Sequence, residues 1–250
     1  MKISIITVVL NQKLTIEDAV KSVRKQTHNN VEHIVQDGCS VDGTIEILNK
    51  LSFSNTDFCS EPDTGIYDAI NKGILRSSGD IIGLMHSDDT FASKAVLKKV
   101  SQIFSNHDVD GVFGDMQYIS ARKPDRIIRN WKSGEYTPKK LKKGWMPPHT
   151  TLFLRRSVFE KYGLYDTDFK IAGDYDAILR YLTKGKIKLH YIPEVLVKMQ
   201  SGGKSNRSVK NILLKVMEDY RAIRCHKVGG IGTLFFKNFT KIGQFNRPFL

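Results

Sequence analysis

Apolar positions along the first half of the chain alternate between a strand rhythm and a helix rhythm. Lys2–Leu10 is a continuous, β-branched apolar run, as expected for a strand covered on both faces. Asn11–Lys13 reads as a turn. Thr15 is expected to cap a helix in which Ile16, Ala19, Val20 and Val23 recur at helical spacing. Glu32–Gln36 predicts a second strand ending at Asp37-Gly38. Asp42 then stands where it would cap a helix with Ile45, Leu48 and Leu51 inward. Phe58–Ser60 predicts a brief strand, Ile66–Arg76 a helix, and Ile81–Met85 another strand running into His86-Ser87-Asp88-Asp89. Ser93–Phe104 is helical in pattern, and Gly111–Gly114 begins a further strand.

Strands and helices that alternate from the start predict an α/β fold with a parallel sheet and right-handed crossovers. Ligands of such sheets sit beyond the carboxyl ends of the strands. Asp37, Glu61 and Asp88 all fall at strand ends of that kind.

Past residue 115 the pattern loosens. Lys123–Lys143 is basic and turn-rich and predicts an exposed loop with a short helix. Thr150–Leu154 predicts a strand, Val158–Tyr162 a short helix, Asp174–Leu182 a helix opening with acids, and Leu189–Val197 a strand. A flexible loop is expected over Ser201–Ser205. Asn211–His226 reads as an amphipathic helix with Leu213, Val216, Met217, Tyr220 and Ile223 on one side. Gly229, Gly230 and Gly232 break it before a short aromatic stretch, Leu234–Ile242.

The 250 residues allow one substantial core, and a hydrophobic fraction of 40% is ordinary for a globular chain. No apolar run approaches the roughly 18 residues of a membrane span. The Ile3–Leu10 run is short and lacks a small-residue cleavage site, so it reads as a strand and not as a secretion signal. Cys39, Cys59 and Cys225 are odd in number and lack metal spacing, which points to reduced thiols and a cytoplasmic setting.

The net charge of +13 is unevenly spread. Residues 1–120 hold 11 Lys/Arg against 16 Asp/Glu, whereas residues 121–143 hold 9 against 2 and residues 201–250 hold 10 against 2. The acidic positions therefore belong to the first half, and the basic surface lies downstream. A basic surface can face nucleic acid, anionic lipid or a pyrophosphate-bearing substrate.

Two acidic turns, each following an apolar strand, flank a compact Asn–Lys–Gly helix: QDGCSVDGT from Gln36 to Thr44, SEPDTGIYDAINKG from Ser60 to Gly73, and HSDD from His86 to Asp89. With IAGDYDAILRYL (Ile171–Leu182), these stretches resemble the family 2 inverting glycosyltransferases of the GT-A fold, in particular small bacterial members that build surface polysaccharides. The resemblance runs from Ile3 to about Ser205. It implies a Rossmann-like, mostly parallel central sheet flanked by helices, with a C-terminal helical extension. Residues 1–205 would form the transferase domain, 1–115 its nucleotide-sugar half and 116–205 its acceptor half. Residues 206–250 would form a basic amphipathic tail.

Site residues follow from the same resemblance. HSDD stands where the family usually carries Asp-x-Asp, so Asp88, with Asp89, is expected to hold Mn²⁺ or Mg²⁺ on the donor's phosphates, and His86 replaces the first acid. A hard cation shared between carboxylates and substrate phosphates suits that chemistry; capping of the following helix is the plain alternative for both acids. Thr7, Val8, Asn11, Asp37 and Ser87 are expected around the nucleotide, with Asp37 accepting from the base. Glu61, Asp63, Tyr67, Asp68, Asn71 and Lys72 are expected to line the donor site. For Asp68 and Lys72, four apart, an ordinary surface pair remains an equal alternative.

Asp174 matches the family's catalytic base, and an inverting transfer needs one carboxylate near the acceptor hydroxyl. Both Asp174 and Asp176 would also favour the positive end of their helix. Asp176, His149 and Trp145 are expected on the acceptor side; for His149 a structural hydrogen bond is an equal alternative. A GGKS loop (Gly202–Ser205) resembles an element that closes over the diphosphate, with Lys204 as a cation. A Gln-x-x-Arg-Trp motif of processive members is absent from the sequence, which implies single-sugar addition.

The implied partners are a nucleotide-sugar donor, with a uridine diphosphate sugar the family expectation, and a saccharide or lipid-linked acceptor. The tail suits peripheral contact with the anionic inner leaflet; packing on the domain is the alternative. A sugar-nucleotide nucleotidyltransferase would share the opening βα pattern but should carry a Gly-rich, Arg/Lys-containing loop where Asn11-Gln12-Lys13 stands. A nucleic-acid-binding protein would account for the positive charge but not for acids at successive strand ends, and nucleic acid is not an expected partner.

Overall fold

The computed structural model describes residues 1–51, 56–121, 123, 126–200 and 209–239. Its first half follows the expected order: β1 (Ile3–Val9), α1 (Ile16–Arg24), β2 (Val31–Asp37), α2 (Thr44–Lys50), β3 (Thr56–Ser60), α3 (Ile66–Arg76) and β4 (Ile81–Leu84). These four strands lie parallel in the order β3-β2-β1-β4. The unbroken apolar run of β1 is explained by its surroundings. Ile6 and Val8 face α3 on one side, while Ile3 and Ile5 face the opposite cluster. Gly73 of α3 lies directly on Ile6 of β1, so a side chain there would collide with the strand.

The second half departs from a parallel pattern. It comprises β5 (Asp89–Phe91), α4 (Val96–Asn106), β6 (Gly111–Ile119), β7 (Ile127–Trp131), α5 (Pro138–Leu141), a 3-10 turn (His149–Thr151), β8 (Phe153–Arg155), α6 (Arg156–Tyr162), α7 (Gly173–Thr183), β9 (Leu189–Gln200), α8 (Val209–Cys225) and α9 (Ile231–Phe239). The sheet continues β4-β8-β6-β9-β5, with β7 attached to β6. Among the described residues of this half only β6 and β9 pair in parallel; β4–β8, β6–β8, β5–β9 and β6–β7 are antiparallel.

Three local expectations change and a fourth holds. The basic stretch expected as an open loop contains β7, whose Arg129 is buried between Tyr118 and Trp131, so its cation reads as core and not as loop. The strand expected over Thr150–Leu154 starts only at Phe153. Pro147 and Pro148 precede a turn in which the Thr151 N–H bonds the Pro148 carbonyl at 2.9 Å. Thr15 holds the cap position of α1, but its hydroxyl is buried without a hydrogen-bond partner among the described residues. Asp42 does bond the first turn of α2, accepting from the Thr44 N–H at 3.1 Å.

The amphipathic reading of the last clear helix is corrected as well. Leu213 and Met217 of α8 point outward at 60% and 68% exposure, and the inward side carries Glu218, Asp219, Ala222 and Ile223. In α9, Phe235 and Phe239 are exposed while Lys237 is buried. Paired charges decide this orientation, because Lys237 bonds Asp219 inside the protein. Among the described residues no helix is long and apolar enough to cross a membrane. The expected Gly202–Ser205 loop and residues 240–250 lie outside the described residues.

Candidate active site

The carboxyl ends of β1, β2 and β4 converge with α3, the 3-10 turn and the start of α7. After β4 the chain turns, with the Asp89 N–H bonding the His86 carbonyl at 3.1 Å, and enters β5. That turn leaves His86 and Asp88 partly exposed and buries Ser87 and Asp89.

His86, His149 and Asp174 are distant in sequence and adjacent in space. His149 Nδ1 lies 3.1 Å from Asp174 Oδ2, and His149 Nε2 lies 2.7 Å from His86 Nε2. The two rings are 4.9 Å apart and tilted by 56°. Burial pulls the His86 ring down to about 3, His149 adds to the depression and Asp174 opposes it. Burial pushes the Asp174 carboxyl up. The hydrogen bond and charge of His149, the Lys237 ammonium and the Tyr175 N–H outweigh it and hold the group well below the usual carboxylate range. Asp174 is therefore an ionised carboxylate at neutral pH, oriented by an imidazole.

Tyr67 borders the other Asp174 oxygen. Its hydroxyl donates to the Ile171 carbonyl at 2.7 Å and lies 3.4 Å from Asp174 Oδ1. Its ring stacks on Tyr165. Asn71, one turn on, clamps the Tyr165 backbone from both sides: its Nδ2 donates to the carbonyl at 2.8 Å and its Oδ1 accepts the N–H at 3.0 Å. Lys72 donates to the Pro62 carbonyl at 2.6 Å and lies within 4 Å of both Glu61 and Asp68. Asp68 accepts from the Thr64 N–H and Asp63 from the Gly65 N–H, both at 2.9 Å, so these acids shape the loop entering α3. Glu61 accepts from Gln36 Nε2 at 3.2 Å.

Other expected donor contacts are engaged within the protein. Asp37 is fully buried and accepts from the Ser40 N–H at 2.9 Å, from Ser60 Oγ at 2.7 Å and from the Ser40 hydroxyl. The hydroxyl of Thr7 meets His33 Nε2 at 2.9 Å, and neither Thr7 nor Val8 is exposed. Asn11 has a φ of 54° and braces the next turn, with its Oδ1 accepting from the Val41 N–H at 2.8 Å. Trp145 and Asp176 stand apart from the His86–His149–Asp174 cluster. Trp145 packs on Phe113 and Tyr136 and donates to the Ser133 carbonyl at 2.8 Å, and Asp176 is buried against His226, the residue after α8, at 2.7 Å.

Asp89 bears on the fit of a cation. It is fully buried, and neither carboxylate oxygen has a hydrogen-bond partner among the described residues. Burial first, and the charge of Asp88 second, push its carboxyl well above the usual range. Two orphaned oxygens beside a second carboxylate are a donor set that suits Mg²⁺ or Mn²⁺. Among the described residues no three His, Cys, Asp or Glu are grouped to hold a metal unaided, so phosphate oxygens would have to complete the shell.

Tyr165, Glu218, His226 and Lys237 support this site and were not read from the sequence as site residues. The available signal was Glu218-Asp219, the only acidic residues among the last 50.

Residues 4–163 match the family model described as glycosyl transferase family 2. An uncharacterized glycosyltransferase of Mycobacterium tuberculosis (strain H37Rv) is 33% identical over 183 residues, 71% of this chain and 68% of its own length. A PGL/p-HBAD biosynthesis glycosyltransferase of the same organism is 26% identical over 217 residues, 85% of this chain and 82% of its own. Among solved structures, S. aureus TarS superposes with a TM-score of 0.70 at 18% identity over 91% of this chain, which spans 39% of that protein. The mannosyltransferase PcManGT from Pyrobaculum calidifontis, in complex with GDP-Man and Mn²⁺, gives 0.68 at 14% identity over 95% of this chain and 69% of its own. Both share the GT-A architecture.

Proposed function

The chain belongs to glycosyl transferase family 2, and we propose that within it the protein is a metal-dependent, inverting transferase that adds a single sugar from a nucleoside diphosphate donor to an acceptor hydroxyl. The observation that carries this reading is the His86–His149–Asp174 cluster beside Asp88, at the carboxyl edge of the parallel strands.

Asp174 is the proposed base. Ionised and oriented by His149, it takes the acceptor's proton as that oxygen attacks the anomeric carbon. The bond from that carbon to the diphosphate oxygen breaks on the opposite face, and the electron pair leaves with the nucleotide. Asp88 and Asp89 would hold Mg²⁺ or Mn²⁺, which when bound offsets the charge gathering on the leaving diphosphate. Tyr67 fixes Asp174 relative to α3, and Asn71 holds Tyr165 behind it.

A uridine diphosphate sugar is the favoured donor. Another structural neighbour, S. aureus TarS 1-349, is a complex with UDP-GlcNAc, while the GDP-Man complex of PcManGT keeps guanosine open. For the acceptor a lipid-linked saccharide is favoured, because α8 and α9 turn an apolar side outward. Lys210, Arg221 and Arg224 lie beside Leu213 and Met217, and Phe235 and Phe239 project from α9. Cations beside exposed aromatic and aliphatic side chains suit an anionic leaflet.

Calorimetric titration of UDP, GDP and dTDP, with and without Mn²⁺, into wild type and Asp88→Ala tests the donor site. Metal-dependent binding of one nucleotide, lost in the variant, is expected. A folded wild type that binds none of the three overturns the reading.

A further inference from the structure

The C-terminal helices hold the backbone that carries Asp174. Glu218 of α8 is buried at 6% exposure, and its carboxylate accepts three consecutive backbone N–H groups: Lys170 on Oε1, and Ile171 and Ala172 on Oε2, each at 2.8 Å. These residues immediately precede α7, whose first-turn N–H groups have no partner within the helix. The carboxylate satisfies the N–H groups of the backbone entering α7, with Ala172 at the cap position among them, and complements the positive end of the helix dipole.

The contact leads straight to the reacting group. The carbonyl of Ile171, between two of the clamped N–H groups, accepts the Tyr67 hydroxyl that also reaches Asp174. Gly173 lets the Tyr67 ring lie flat on this backbone, since a side chain there would sit 2.8 Å from the ring. Two further contacts, one from the turn after α8 and one from α9, grip the next residues. His226 Nε2 bonds Asp176 Oδ1 at 2.7 Å, and the Lys237 ammonium lies 3.3 Å over the Tyr175 ring while paired with Asp219.

We propose that Glu218 is a positioning residue for the transfer reaction, setting the N-terminal turn of α7 so that Asp174 faces His149. The C-terminal helices, which lie outside residues 4–163 matched to the family model, are then a working part of the active site. The inference rests on the functional reading above, in which Asp174 is the base.

The test compares wild type, Glu218→Gln and Glu218→Asp in nucleotide release from UDP-GlcNAc or GDP-mannose, whichever wild type turns over, with amide hydrogen exchange in parallel. Glutamine keeps the volume but removes the charge and one accepting oxygen. The expected result is a fall in kcat of at least tenfold, with UDP or GDP affinity within twofold of wild type. Exchange at Lys170–Ala172 is expected to quicken, and Glu218→Asp to recover part of the rate. A Glu218→Gln enzyme with wild-type kcat overturns the proposal, as does one whose kcat and nucleotide affinity collapse together. A wild type that binds nucleotide but turns over neither donor removes the functional reading and this inference with it, an outcome distinct from an active wild type matched by an active variant.

Discussion

His149 touches both His86 and Asp174, one through each ring nitrogen. With Nδ1 facing a carboxylate, the ring proton belongs on that side. A neutral His149 then accepts from His86 at Nε2, and a protonated one donates to it. The pair fixes the plane of the ring and, through it, the Asp174 carboxylate. Removing His149 removes the strongest influence lowering the Asp174 carboxyl, whose burial then dominates.

A pH–rate profile should register that change. A base works when deprotonated, so a carboxyl with a raised pKa loses activity from a higher pH downward. The acid limb of kcat for His149→Asn is expected to move to higher pH, with kcat at neutral pH about tenfold lower. Asp174→Asn should lose about 10²-fold or more. An unmoved acid limb in His149→Asn would separate the two residues.

Asp89 is expected to behave oppositely with and without metal. Its carboxyl is raised in the folded state, so protonation favours folding; the penalty grows as pH rises above the unfolded value of 3.8 towards the folded one. At neutral pH in chelator, Asp89→Asn should therefore melt at or above the wild-type temperature. With Mn²⁺ and nucleotide present, wild type should gain several degrees and the variant little. Thermal melts in both buffers check this.

The outward apolar side of α9 should matter for lipid and not for stability. Phe235→Ser with Phe239→Ser is expected to lower sedimentation with anionic vesicles at least threefold while leaving the melting temperature within about 2 °C, since both rings are half exposed. Equal sedimentation would assign the patch to something other than lipid.

His33 sets an acid limit on stability. Burial, with a further push from Arg24, holds the ring down to about 3, while in the unfolded chain it takes a proton near 6.5. The unfolded state therefore binds more protons between those values, and stability falls as pH drops from 6.5 to about 3, by a few kcal/mol in total. Glu32 adds a second loss. Burial works against its charged form, but bonds from Lys2, Ser4 and Ser78 bring its carboxyl to about 2, so its contribution disappears between pH 4.5 and 2. Urea midpoints against pH, for wild type and His33→Gln, should flatten in the variant above pH 4.5.

The first half was legible because its signals are local. The unbroken apolar run of β1 and the period-3.6 patterns of α1 and α3 report burial directly, and α3 has the bounds its pattern predicted. Asp37, Glu61 and Asp88 fall at or just past strand ends by the same logic. What the pattern missed is non-local. β5 is three residues long and exists only through its pairing with β9; β7 hides its pairing among cations. The inward side of α8 is polar because its partners are backbone N–H groups and a lysine, which no periodicity of apolar residues reveals. Asp37 illustrates a different gap: an acid at a strand end can close its own turn through Ser40 and Ser60.

The pairing of β5 with β9 also sets an order of assembly. Asp89 is aligned with Met199, 110 positions later, and Phe91 with Val197. A chain emerging from the ribosome can complete the parallel β1–β4 block early, from neighbouring segments. The strand that carries Asp89 has no ladder until residue 199 is synthesised, and the Glu218 carboxylate comes later still. In the proposed reading, nucleotide recognition and transfer competence thus arise in sequence during synthesis, and a truncated product would inherit the former without the latter.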